Sequence, residues 1–258
     1  MVRMFLVRGM LTGLVAGVLS FGFLKVYGEP QVDRAIAFET KMDQAKAAEE
    51  AKDAHHGMPG MQPSEENEPE LVSRPVQAGL GLFTAVVVYS TAFGGLFGLA
   101  FAFAYGRVPG ALTPQALSAL LAATGFVAVY LVPNLKYPAN PPSVGDPETI
   151  GARTALYFVM IAISLAAMIG AVSFKRLFVS RLGEWNANLM LAACYIVVVA
   201  AAGLLLPIVN EVPDQFPAVV LWKFRIASLG AQFIMWTTLG LLFGMLTQRA
   251  FNRGKLPA

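Results

Sequence analysis

Six apolar runs, at 5–26, 78–105, 115–135, 154–174, 187–206 and 226–247, set the limits on what this chain can be. Each is close to the ~20 residues that cross about 30 Å of hydrocarbon as an α-helix. Backbone N–H and C=O groups in lipid must pair within their own segment or around a closed barrel. The runs are continuously apolar and do not alternate with period two, which argues against a barrel. Charged residues are 14% of the 258, against about a quarter in soluble domains, and they gather between the runs. The expected fold class is therefore all-α: a polytopic transmembrane helical bundle of about six spans, forming one integral membrane domain over 1–258.

The Lys/Arg distribution orients it. With six spans, Arg3, Arg8, Arg107, Lys175, Arg176, Arg181, Arg249, Arg253 and Lys255 share one side with a single acid, Glu184. The other side holds ten basic and fifteen acidic residues. That asymmetry predicts cytoplasmic N- and C-termini and an acidic outer face that attracts cations. The net charge of +3 averages these two faces, and no nucleic-acid partner is expected. The N-terminus has no A-x-A-like cleavage site, and Arg8 interrupts its apolar stretch. It reads as a retained span and not a signal peptide. Tyr27, Tyr137 and Trp222 fall at outer boundaries, Tyr105 and Trp185 at inner ones, as interfacial anchors do. The one cysteine, Cys194, sits in an apolar run and reads as a packing residue.

Small residues recur every four positions: Gly9, Gly13 and Gly17, then Gly94 and Gly98, then Gly240 and Gly244. Such faces let helix backbones approach closely. They serve either packing within the bundle or contact between subunits, and the oligomeric state stays open. The span interiors contain no carboxylate or histidine, which argues against a proton-coupled pump with a central relay. Thr84, Tyr89, Thr124, Ser164, Tyr195, Gln232 and Thr237 remain as modest polar groups. They either line a path or bond to their own or a neighbouring helix.

The outer loops differ from everything else. The first, 27–75, is long and acidic. Its part "QVDRAIAFETKMDQAKAAEEAKDA" is Ala/Glu/Lys-rich, with spaced pairs such as Lys46/Glu50 that favour an exposed helix. The following "HHGMPGMQPSEENEPE" cannot bury a core and is expected to be disordered. It holds both histidines, His55 and His56, beside Met58 and Met61. Imidazole and thioether ligate late transition metals, so these four are metal-capture candidates, although they make an incomplete shell. Otherwise the segment is a polar linker.

The second and third outer loops share a plan. A span ends in "LVPN" or "LLPIVN", prolines and acids follow, and the next span opens on Arg153 or Arg225. The first hairpin echoes it with "GEP" and Arg74, which points to a three-hairpin internal repeat. Proline frees carbonyls of the preceding turn. Those carbonyls, with Asn134, Asp146, Glu148, Asn210, Glu211 and Asp214, form a set of oxygen donors and the candidates for a metal path. A functional site requires several of the carboxylates to converge. The alternative is structural: Arg153 paired with Glu148 or Asp146, and Arg225 with Glu211 or Asp214, each pinning a loop.

At these residues the chain resembles the CbtA family of proposed cobalt transporter subunits. The resemblance rests on "YGEPQVDRAIAFE", "YPANPPSVGDPETIGART" and "LPIVNEVPDQFPAVVLWKFRIASLGAQFIMW". It covers nearly the whole chain apart from 45–73. It implies a multi-pass component of the bacterial inner membrane for cobalt uptake. It also implies a small single-span CbtB-like partner that carries histidines and completes a Co²⁺ site. The family is described with five spans, whereas hydropathy here gives six.

The leading expectation is thus a membrane subunit of a cobalt, or divalent transition-metal, uptake transporter. It would collect cations at an acidic outer face and pass them between helices. No bound cofactor is expected, since Co²⁺ would be cargo. No phosphate-binding loop of the G-x-x-x-x-G-K-[ST] type exists in the sequence. Energy must come from the membrane potential or another subunit. A non-conducting scaffold or regulatory subunit is the alternative. An outer-surface membrane enzyme is the third, but H-E-x-x-H, G-x-S-x-G and paired cysteines are all absent, so no enzyme is expected.

Overall fold

The computed structural model describes residues 1–54, 72–108, 112–142, 144–145 and 148–254. All regular structure among them is helical. The helices are α1 (Val2–Tyr27), α2 (Glu29–Ala54), α3 (Arg74–Ala104), α4 (Pro114–Lys136), α5 (Ile150–Leu205) and α6 (Ala218–Asn252). All but α2 are long and apolar enough to cross a bilayer.

At 56 residues, α5 is nearly three times the length a span needs. Its backbone breaks at Gly183, where φ is 76° and ψ 166°, a region essentially restricted to glycine. The arms 150–182 and 184–205 therefore fold back on each other. Ser164 and Tyr195 share a hydroxyl hydrogen bond of 2.7 Å, and Lys175 reaches Glu184 at 3.8 Å across the turn. The five apolar helices thus supply six apolar arms. Phe5 near the start of α1 lies 6.3 Å, ring to ring, from Phe251 at the end of α6. The start of α1 and the end of α6 therefore sit at one end of the bundle.

The tightest packing follows the small-residue faces. A methyl group added to Gly9 would sit 2.1 Å from the Gly94 carbonyl oxygen, and one on Gly98 2.4 Å from that of Phe5. Gly13 faces Ser90 in the same way. The backbones of α1 and α3 therefore touch, antiparallel, with no side chain between them. Gly240 and Gly244 place α6 against Ala122, Ser118 and Gln115 of α4. All three small faces are used inside the bundle. Where α1, α3 and α6 end together, Phe5, Phe97, Phe101, Tyr105, Phe243 and Phe251 form an aromatic cluster.

Three spans contain one wide π-type turn each, at Gln77–Gly81, Phe126–Leu131 and Leu239–Phe243. Two have visible causes. Pro133 follows the second and lacks the N–H that would close the helix there. In the third, the Ser118 hydroxyl donates to the Gly240 carbonyl at 2.7 Å and competes with the α ladder. The α5 hairpin packs mainly on the end of α4 from its wide turn onward, where Val132 and Tyr137 meet Met160 and Tyr195. The polar helix α2 lies over the second and third loops, with Ala35 and Phe38 in one cluster with Val144, Val212 and Phe216.

Candidate functional site

The proline-bearing loops share one end of the bundle, opposite the aromatic cluster. The second and third meet around a peptide at 138–140. Arg153, in the first turn of α5, donates to the Pro138 carbonyl and, at 2.9 Å, to Glu211 Oε2. Thr149 donates its hydroxyl to the other oxygen, Glu211 Oε1, at 2.8 Å. The Glu211 side chain is 1% exposed and that of Arg153 20%. A carboxylate this deeply buried depends on such partners in place of water.

Arg225, in α6, approaches the same peptide from the other side. It donates to the Ala139 carbonyl at 3.3 Å and to Asn140 Oδ1 at 2.9 Å. No carboxylate among the described residues pairs with it, and Arg153 is near enough to repel it. Tyr137 fastens the loops again by donating to the Pro207 carbonyl at 2.8 Å. Burial pushes this phenol above its ordinary value, so it remains a neutral donor.

The other sequence candidates divide as follows. Asn134 Oδ1 accepts from the Ala139 N–H at 3.1 Å and shapes the turn. Asn210 Oδ1 accepts from the Val212 N–H at a long 3.4 Å and is exposed. Glu148 and Asp214 are exposed at the surface of the loops. Asp146 lies outside the described residues, as do His55, His56, Met58 and Met61. Among the described residues, no group of three or more His, Cys, Asp or Glu could hold a metal ion. The loops converge, and Glu211 is the carboxylate seen at their junction.

The expected pairing of arginines is revised in both cases. Arg153 takes Glu211 from the next loop, while its in-loop candidate Asp146 lies outside the described residues. With Glu211 occupied, Arg225 is left to main-chain and amide oxygens. The first hairpin does keep its arginine to itself: Arg74 binds Glu29 at 2.6 Å and Asp33 at 2.8 Å.

Below the junction, a polar seam runs between α3, α4 and α6. The Tyr130 hydroxyl lies 2.9 Å from that of Ser228, and Tyr89 of α3 lies near Gln232 of α6. Tyr157 of α5 is close to both tyrosines. Sequence reasoning named Tyr89 and Gln232 but missed Thr149, Asn140, Tyr130 and Ser228. The signal for Tyr130 and Ser228 was a hydroxyl four residues before Asn134 and three after Arg225, on the turns facing the loops. Thr124, also named, spends its hydroxyl on the Leu120 carbonyl of its own helix.

No curated protein and no solved structure matches this chain. A family model does: "Probable cobalt transporter subunit (CbtA)" matches residues 2–248. The chain, a multi-pass helical membrane protein whose proline loops meet at one end, belongs to the CbtA family.

Proposed function

We propose that this chain is the membrane-spanning subunit of a cobalt uptake transporter in the bacterial inner membrane, with its basic end in the cytoplasm. Co²⁺ is collected at the acidic proline-loop end and passes between helices. The observation supporting this reading is the junction of the second and third loops on Pro138–Asn140, above the tyrosine, serine and glutamine seam. Outside the junction, Glu148, Asp214 and the acids of α2 raise the local cation concentration. At the junction, Glu211 is bound to Arg153, so an arriving dication competes with a guanidinium for one carboxylate. Loss of that pair frees the 138–140 peptide and opens the seam below. Neutral hydroxyl and amide oxygens there replace part of the ion's hydration without a fixed charge that would trap it.

An inside-negative potential contributes about 2.3 kcal/mol per charge per 100 mV, and roughly twice that for a dication. The donor set of Asn134, Asp146, Glu148, Asn210, Glu211 and Asp214 is incomplete for tight binding. A small single-span partner of the CbtB type, supplying imidazole, completes it. His55, His56, Met58 and Met61 capture the ion upstream. The test is metal competition in cells lacking other cobalt importers. Expression of the chain with its partner should give Co²⁺ accumulation that excess Mg²⁺ does not suppress. Accumulation no greater than in cells without the chain would reject the reading.

The second reading, a scaffold that conducts nothing, is favoured by the absence of a three-ligand group among the described residues. It predicts that the partner alone supports full uptake once it is inserted in the membrane.

A further inference from the structure

A cavity of about 910 Å³ opens between α3, α4 and the first arm of α5, in the half of the bundle away from the proline loops. Its walls include Phe97, Leu120, Leu165 and Met168, and Trp236 of α6 reaches it from behind. The one hydroxyl of α4 in the lining, Thr124, is bonded back to its own helix. The apolar lining ends at two cations, Arg107 and Arg176. Among the described residues neither is paired with a carboxylate. Arg107 is fixed in place instead, with Nη1 donating to the Phe103 carbonyl at 2.7 Å and the guanidinium 4.9 Å from the Phe103 ring.

The dimensions identify the occupant. On α5 the lining runs from Ile161 to Arg176, about 22 Å of helix at 1.5 Å per residue. Half the hydrocarbon layer is about 15 Å. The walls therefore span one leaflet, and the arginines stand at headgroup level. A transmembrane helix would need a wall of about 30 Å, and this lining stops short of that. A dication on its way out would meet two guanidiniums, so this is not the cobalt path. Apolar walls one leaflet deep, closed by two unneutralised cations, match a phospholipid with an anionic headgroup.

We infer that the cavity is a binding site for an anionic glycerophospholipid of the leaflet at the basic end, acyl chain against α3, α4 and α5 and phosphate between Arg107 and Arg176. The site is independent of what the protein transports, and its test reads binding alone. The purified full-length chain in detergent is titrated with dioleoyl phosphatidylglycerol, dioleoyl phosphatidylcholine or inorganic phosphate, and its thermal midpoint is followed. Phosphatidylglycerol should raise the midpoint, and the other two should not. Each arginine near the surface is worth about fivefold in affinity, so R107Q/R176Q should weaken phosphatidylglycerol binding roughly 25-fold. L165W/V172W fills the groove, keeps both arginines and should abolish the shift. Equal stabilisation by phosphatidylcholine would mean unspecific filling and overturn the inference. An equal effect of phosphate would mean a free anion site and overturn it too. So would an undiminished phosphatidylglycerol shift in either variant.

Discussion

The Arg153–Glu211 pair makes an asymmetric prediction. Arg153→Ala leaves a carboxylate that is 1% exposed with only the Thr149 hydroxyl beside it, and takes the donor from the Pro138 carbonyl. Breaking a buried pair from one side costs about 3–5 kcal/mol. Arg153 is 20% exposed and some water reaches it, so the low end, about 3 kcal/mol, is expected. Glu211→Gln is milder. Glutamine keeps the shape and an acceptor for Thr149, and the guanidinium left behind retains Pro138 and its water. Losing the charge from one hydrogen bond costs about 1–2 kcal/mol. The double variant should then cost little more than R153A alone, because no buried charge is stranded. For a chain of this size about 3 kcal/mol corresponds to a fall of roughly 6–12 °C in thermal midpoint. Midpoints of the purified protein and the three variants in one detergent provide the check. Salt should change the ordering little, since the carboxylate is buried. Strictly additive effects, or E211Q more damaging than R153A, would refute the reasoning.

Three further outcomes follow from the geometry. Gly94→Ala should prevent stable assembly, because its methyl would lie 2.2 Å from the Gly9 carbonyl oxygen and the α1 and α3 backbones would have to part; Gly22→Ala, in open space on α1, should be neutral or stabilising by up to about 1 kcal/mol, with yield of folded protein as the measurement. Tyr137→Phe should cost about 1–2 kcal/mol at neutral pH through its bond to Pro207. The phenol value is raised in the folded state, so its contribution is intact below the unfolded value of about 10 and is lost as pH rises through the folded one; a pH series of midpoints should show wild type and Y137F converging in alkali. In cobalt-limited cells, Glu211→Gln and deletion of 54–62 should each lower uptake, whereas Glu184→Gln, exposed at the opposite, basic end, should not.

What was legible in the sequence was whatever depends on neighbours along the chain. Six apolar runs led to an expectation of about six spans, whereas five apolar helices form, because the polar stretch after Phe174 stays helical up to a single glycine. Lys, Arg and Leu there favour helix, so the turn shrinks to Gly183, which hydropathy cannot see. Glycine stripes showed which faces pack closely but not which pairs meet: Gly9 and Gly13 found Gly94 and Ser90, Gly240 found Ala122. The site was less readable for the same reason. Arg153 was expected to take an acid close in sequence, yet the fold brings Glu211 from 58 residues away. Once that pair forms, Arg225 is left with the 138–140 peptide, a consequence no local pattern encodes. Tyr130 and Ser228 looked like ordinary membrane-helix residues until two spans were juxtaposed.

The most direct test of the central claim is flux. The purified chain is reconstituted in sealed vesicles, alone and with its single-span partner, and radiolabelled Co²⁺ is followed under an inside-negative potential. The complete pair should accumulate Co²⁺ well above protein-free vesicles, with E211Q markedly slower. Accumulation by the partner alone equal to that of the pair would show that this chain conducts no metal.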